Sequence, residues 1–204
     1  MPDPTPTRDQ ILDASEALFA RQGFRSTTIK EIASEAGVNS ALLYYYFEDK
    51  ETLYKAMLSR LIEGLVSSIA DRIQGVTDPE EGIRQFAAAQ AETILARPLL
   101  PRLILRELLD HDARHAHEPL SIAVGRGLVP LAHLIEAGQR AGNFRRDVNP
   151  HFAAISIVSQ LMYFFVARPA VAVLLDTGSG PIPPDTVRAF ARHAGDFAVK
   201  ALSI

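Results

Sequence analysis

The sequence predicts an all-α protein, and three observations carry that prediction. Apolar residues recur at spacings of three and four almost throughout, no segment alternates with period two, and the breaks between periodic segments are of the helix-capping kind. With 204 residues the chain has length for one large domain, or for a small one joined to a medium one, around a buried core.

The elements follow in order. Ile11, Leu12, Ser15, Leu18, Phe19 and Gln22 fall on one helical face, with Thr7 placed as N-cap and Gly23 as a left-handed C-cap. Thr28-Ile29-Lys30-Glu31 spells a capping box that starts a second, short helix. It turns Ile29, Ile32, Ala33 and Ala36 inward and stops at Gly37, where positive φ costs little. Asn39 then caps a third helix, Ser40 to Phe47, with Leu43 and Phe47 on the inward face. At 100° per residue Ala41 and Tyr45 point most nearly outward, with Leu42, Tyr44 and Tyr46 on the flanks. One core cannot take three consecutive tyrosine rings, so this helix exposes aromatic groups.

Asp49 caps a fourth helix, which carries Leu53, Met57, Leu61, Leu65 and Ile69 at helical intervals to a break between Gly75 and Pro79. Further helices are expected at about 79–96, 98–110, 119–141, 149–167 and 184–202. Arg97-Pro98, the stretch from His111 to His117, Gly142-Asn143 and residues 176–184 separate them.

Composition excludes several function classes. Cysteine is absent, so there is no disulfide, thiolate nucleophile or cysteine-bound zinc, and a reducing cytoplasm suits the chain. The first ten residues lack the apolar core of a signal peptide. The longest uncharged apolar run, Phe152 to Ala167, falls short of the roughly 18–20 residues that a spanning helix needs, so no membrane partner is expected. Gly125-Arg126-Gly127 and Gly178-Ser179-Gly180 lack the remaining residues of a nucleotide loop, and neither HExxH nor GxSxG occurs. No enzyme activity and no cofactor are expected. His111 and His115, four apart in HDARHAH, can share a helix face as metal ligands, but the segment suits an exposed loop equally well and no carboxylate stands at a compelling spacing. No metal is assigned.

A helix, a tight glycine turn and a second short helix ending in outward polar and aromatic groups is helix-turn-helix geometry, whose second helix enters the major groove. Residues 8–58 resemble the DNA-binding domain of the tetracycline-repressor (TetR) family of bacterial transcription regulators. The matching positions are Ile11-Leu12-Asp13-Ala14, Leu18-Phe19, Gly23-Phe24, Thr28, Ile32-Ala33, Ala36-Gly37-Val38, Leu43-Tyr44, Tyr46-Phe47, Lys50-Glu51 and Leu53.

The resemblance implies a three-helix DNA-binding domain over residues 1–50 and a helical ligand-sensing and dimerisation domain over 51–204. It implies that Thr28 donates to a phosphate, that Lys30 reaches a phosphate or a base, and that Asn39, Ser40, Ala41 and Leu42 lie at or near base edges. Tyr44, Tyr45 and Tyr46 would line the sugar-phosphate wall, and Lys50 would pair with a phosphate. Ser40 and Leu42 depart from the residues common at these positions, so direct base hydrogen bonds would be few and Leu42 can meet a thymine methyl. Residues 1–60 hold seven Lys/Arg against nine Asp/Glu, so no basic patch announces DNA binding.

For the remainder, the resemblance implies a ligand cavity and a dimer interface on the last two helices, with the fourth helix passing the ligand signal to the recognition helices. Polar groups embedded in apolar helices nominate Gln90, Arg106, Glu107 and Arg126 as ligand contacts, with Phe86, Ile94, Leu103, Met162 and Tyr163 as apolar wall. Each can equally be core or a solvated charge. Ile155, Val158, Met162 and Phe165 give one interface stripe, and Val187, Phe190, Ala194, Phe197 and Ala201 the other. The expected partners are double-stranded palindromic operator DNA, a second copy of the chain and a small-molecule effector that releases the DNA. An all-helical carrier or enzyme, or a scaffold module, is the competing class.

Overall fold

The computed structural model describes residues 4–178 and 180–204, the side chains of residues 4–6 and 111 excepted. Ser179 of the second glycine motif and the His111 side chain therefore lie outside the described residues.

Among those residues the chain is helical. The order is α1 (Pro4–Gln22), α2 (Ile29–Glu35), α3 (Ser40–Tyr46), α4 (Lys50–Ile73), α5 (Pro79–Ala96), α6 (Leu100–His111), α7 (His117–Ala123), a π-helical turn (Val124–Leu128), α8 (Val129–Ala141), α9 (Pro150–Val166), α10 (Arg168–Leu174) and α11 (Pro184–Leu202). An isolated bridge between Phe144 and Ser203 is the β-type pairing seen among the described residues.

The predicted signals account for most boundaries. Thr28 caps α2 in a full capping box, Asn39 caps α3, and Asp49 Oδ1 accepts from Thr52 N at 2.7 Å at the start of α4. Asp78 and Asn149 cap α5 and α9, each followed by proline in the first turn, where its missing N–H costs nothing.

Three expectations change. Thr7 is not a cap, because α1 already begins at Pro4 and Thr7 lies buried inside it. The helix expected over 119–141 is interrupted by the π-turn, which spans Gly125-Arg126-Gly127 and marks the weak helix propensity of two glycines. The helix α10 was not expected. Its first turn holds Pro169, where the missing N–H costs nothing.

Two compact packing units emerge. One consists of the chain up to Ile62 with Arg102–Leu120, the other of Glu63–Pro101 with Ser121–Ile204. This grouping differs from a division at residue 50, because the first half of α4 and most of α6 are packed with α1–α3.

The first unit has an apolar centre of Ile11, Leu12, Phe19, Ile32, Leu43, Leu53 and Met57, all fully buried. Phe19 meets Tyr54 edge-on at 4.8 Å between ring centroids, and Phe24 stands 4.9 Å from Tyr54.

In the second unit α5, α8, α9 and α11 share a core of Ile83, Phe86, Leu131, Ile135, Phe144, Ile157 and Leu202. A second cluster joins Ala87, Ala91, Leu161, Phe164, Ile182, Val187 and Ala191. Phe164 stacks on Phe190 at 4.2 Å. Two glycines permit close approach. A Cβ on Gly82 of α5 would overlap the Leu134 side chain of α8, and one on Gly138 of α8 would overlap the Phe144 ring. The stretch His117–Ala141 is long and apolar enough, by length and composition, to cross a membrane, yet Leu131, Ala132 and Ile135 face this protein core.

Candidate nucleic-acid interface

The candidate interface is built by α2, the turn after it, and α3. Ala33 O accepts from Val38 N at 2.9 Å and Gly37 takes φ +68°, which turns the chain within a few residues. Asn39 Oδ1 then accepts from Leu42 N at 2.7 Å and starts α3. Leu43 and Phe47 are buried and anchor the helix, so its register is fixed by packing. The opposite face is open: Ala41 is exposed, Tyr44 keeps 55% of its surface and Tyr45 79%. Tyr45 and Tyr46 meet edge-on at 5.2 Å. Ser40, Leu42 and Tyr46 are half-buried. These six residues thus form one surface, with Ala41, Leu42, Tyr44, Tyr45 and Tyr46 in the orientations that periodicity predicted.

Two sequence-predicted phosphate donors are otherwise engaged. The Thr28 hydroxyl donates to Glu31 Oε2 at 2.7 Å and accepts from Glu31 N at 3.2 Å, while Thr28 N also donates to Glu31 Oε2. These bonds hold the Glu31 carboxyl below its usual range. The Thr28 proton is therefore directed at a carboxylate within the capping box. Lys50 differs more. Its ammonium donates to the Phe24 and Thr27 carbonyls, each at 2.9 Å, and lies 4.5 Å from the Phe24 ring centroid. Two of its three donors close the loop between α1 and α2, so Lys50 serves first as a structural clasp.

Lys30 is exposed on α2. Arg25, which sequence reasoning missed, is exposed in the loop just before α2. Among the described residues neither has an acidic partner. Most of the described acids in this stretch are engaged elsewhere. Arg60 pairs with Asp9, Asp13 and Glu16, Arg21 with Glu35, and Lys55 with Glu51. Asp49 is turned onto Thr52 N, which lowers its pKa, and Glu48 stays exposed beside it. The charge sum hid this separation, which depends on which charges are paired and not on how many there are.

The segment HDARHAH also departs from the expected open loop. His115 is 3% exposed, and its ring packs on Phe24 at 5.0 Å and Tyr54 at 5.3 Å. Glu107 Oε1 accepts from His115 N at 2.7 Å, and the ring Nδ1 lies 3.2 Å from both Glu107 oxygens. Burial and the Glu107 carboxylate push the Tyr54 phenol well above its ordinary value. Asp112 and Ala113, at φ +49° and +59°, close this turn in left-handed backbone. Among the described residues no group of three or more His, Asp or Glu could hold a metal ion.

The proposed ligand wall is scattered. Leu103, Arg106 and Glu107 belong to the first unit, Glu107 in its interior. Arg126 is exposed on the π-turn and Tyr163 is 68% exposed, because the apolar run of α9 is too long for one buried face. Phe86 and Ile94 are fully buried core, and Met162 is half-buried. Gln90 is buried inside α5, where Nε2 donates to Val158 O at 3.2 Å and Oε1 has no donor. The depressions described in the second unit are lined by other residues. One of about 340 Å³ between α5 and α11 is flanked by Arg84, Glu92, Arg188 and Arg192. Another of about 320 Å³ is edged by Phe152, Gln160 and Phe197.

The expected dimer stripes are out of register in part. Val187 and Ala194 are buried against the unit's own core, while Val158, Met162, Phe165 and Phe190 are half-buried. The open apolar surface runs through Phe152, Ile155, Tyr163 and Val166 of α9 and Phe197 and Ala201 of α11.

Comparison with known proteins places this architecture. Residues 11–57 match bacterial regulatory proteins of the tetR family, and residues 79–196 match the tetracyclin repressor-like C-terminal domain. The chain belongs to the TetR family. The transcriptional repressor NicS of Pseudomonas putida is 31% identical over 161 residues, which span 78% of this chain and 75% of that one. The HTH-type transcriptional repressor KstR2 of Rhodococcus jostii is 26% identical over 146 residues, 72% of each chain. The TetR-family regulator PfmR from Thermus thermophilus has the same fold, with TM-score 0.76 at 22% identity over 93% of this chain and 97% of that one. The fatty acid degradation regulator FadR from Bacillus halodurans matches with TM-score 0.73 at 21% identity over 95% of each. As a TetR-family member, the protein is a helix-turn-helix DNA-binding transcription regulator.

Proposed function

We propose that the protein is a cytoplasmic homodimeric repressor that reads a palindromic operator through α3 and leaves it when a small molecule binds the second unit. The observation that carries the reading is the division of α3 into a buried anchor, Leu43 and Phe47, and an exposed face that includes Ala41, Tyr44 and Tyr45. Large aromatic side chains held open on a short, capped helix serve contact with another molecule. In this role Tyr44, Tyr45 and Tyr46 meet the sugar-phosphate wall, with Lys30 and Arg25 as phosphate cations. Asn39, Ser40, Ala41 and Leu42 face the bases. Thr28 and Lys50 contribute backbone positioning, with one Lys50 donor left for a phosphate.

The partner for the second unit is another copy of the chain, joined through Phe152, Ile155, Phe197 and Ala201. Twofold symmetry then calls for half-sites about one helical turn, or a multiple, apart. Gln90 supports an effector site. A buried acceptor without a donor, deep in an apolar unit, favours a ligand that brings an O–H or N–H.

Selection from a randomised duplex pool at near-physiological salt tests the reading, with Tyr44→Ala and Tyr45→Ala alongside. Enrichment of one palindrome by the wild type, lost in the variants, is the expected result. An unenriched pool sinks the proposal.

A further inference from the structure

The side chains that α3 leaves open to DNA are Ser40, Ala41, Leu42, Tyr44, Tyr45 and Tyr46, since Leu43 and Phe47 are buried. The major groove marks guanine by two acceptors, cytosine by an amino donor and adenine by a donor–acceptor pair. The forked or charged partners that read those patterns are Arg, Lys, Asn, Gln and carboxylates, and α3 carries none of them. Asn39, next to it, has Oδ1 turned onto Leu42 N at 2.7 Å, so the amide fork that pairs with adenine is not presented. Hydroxyls of Ser40 and Tyr45 can donate or accept, which makes them poor discriminators. On α3 itself what remains is hydrocarbon, the Ala41 methyl and the half-exposed Leu42 side chain, with the exposed Lys30 of α2 assigned to a phosphate. Thymine is the base whose major-groove edge is itself hydrocarbon, at the C5 methyl.

We infer that this protein recognises its operator through thymine C5-methyl groups packed on Ala41 and Leu42, with at least one such thymine in each half-site. The inference rests on α3 being the recognition helix. A methyl packed on carbon is recognised by the water it displaces, so the discrimination is lost when the methyl is removed even though every hydrogen-bonding group of the base pair remains.

That property defines the experiment. A duplex selected from the random pool is resynthesised with each thymine replaced in turn by 2′-deoxyuridine, and binding is measured for wild type, Leu42→Ala and Ala41→Gly, with circular dichroism confirming that each variant is folded. The expected result is a roughly three- to fivefold loss of affinity at one or two thymines per half-site for each methyl removed. That loss should shrink towards onefold in at least one variant. If the selected duplex outcompetes a scrambled one but tolerates deoxyuridine everywhere, methyl readout is wrong while DNA reading stands. Equal losses in wild type and both variants also overturn it, by assigning the methyl effect to other residues or to DNA shape. If no duplex is selected at all, the recognition helix itself is misassigned and the inference falls with it.

Discussion

At the scale of single residues, two polar arrangements, one half-buried and one buried, decide how the first unit holds together. Lys50 supplies donors to the Phe24 and Thr27 carbonyls. Its replacement by methionine keeps most of the apolar stem but orphans both acceptors, and is expected to cost on the order of 2 kcal/mol in a denaturant titration. A stability unchanged within experimental error would show that Lys50 is free for phosphate after all. Glu107 is 1% exposed and receives the backbone N–H of His115. Glu107→Ala leaves the buried His115 backbone N–H without its acceptor, with an expected loss of about 3 kcal/mol in the same titration. Neither arrangement was legible in the sequence. A lysine at the start of a helix and a histidine in HDARHAH reveal nothing of partners that lie 23 and 26 residues away for Lys50, or eight for His115.

At the scale of the element, α2 and α3 were readable because their signals are local. The threonine-to-glutamate box, the glycine at the turn and the Asn39 cap act within three or four residues, and the 3.6-residue period then fixes which tyrosines stand outside. Tyr45→Ala should accordingly change stability by no more than about 0.5 kcal/mol in a thermal melt, since nothing in the core depends on it. The capping box adds a pH dependence. Glu31 has its pKa lowered from 4.5 in the folded state, chiefly by the Thr28 hydroxyl and then by its backbone N–H. Its contribution is therefore complete above the unfolded value and disappears as pH falls through the folded one. Glu31→Gln should flatten the loss of helical ellipticity on the acid side of pH 4.5, and an unaltered acid limb would rule the carboxylate out. Where the governing interaction is not local, the sequence was ambiguous. Val187, Phe190, Ala194, Phe197 and Ala201 form a regular three-four stripe, but α5 covers one edge of α11 and splits it into inward and outward halves. Periodicity locates a face without saying how wide the neighbour is that covers it.

At the scale of the whole molecule, the apolar residues left outside the second unit carry the expectation of self-association. Phe197 is 58% exposed and Phe152 69%. Phe197→Glu should shift sedimentation from dimer to monomer and weaken binding to a two-half-site operator far more than to a single half-site. A variant that remains dimeric would move the interface elsewhere. The interior of that unit has a different kind of consequence. Leu134 fills the space left by Gly82, and Phe144 fills the space left by Gly138, so α8 takes part in two fits in which one partner has no side chain. Each pair behaves as a single heritable character. Across descendants of this gene, alanine at 138 should appear only together with a smaller side chain at 144, and enlargement at 82 only with trimming at 134.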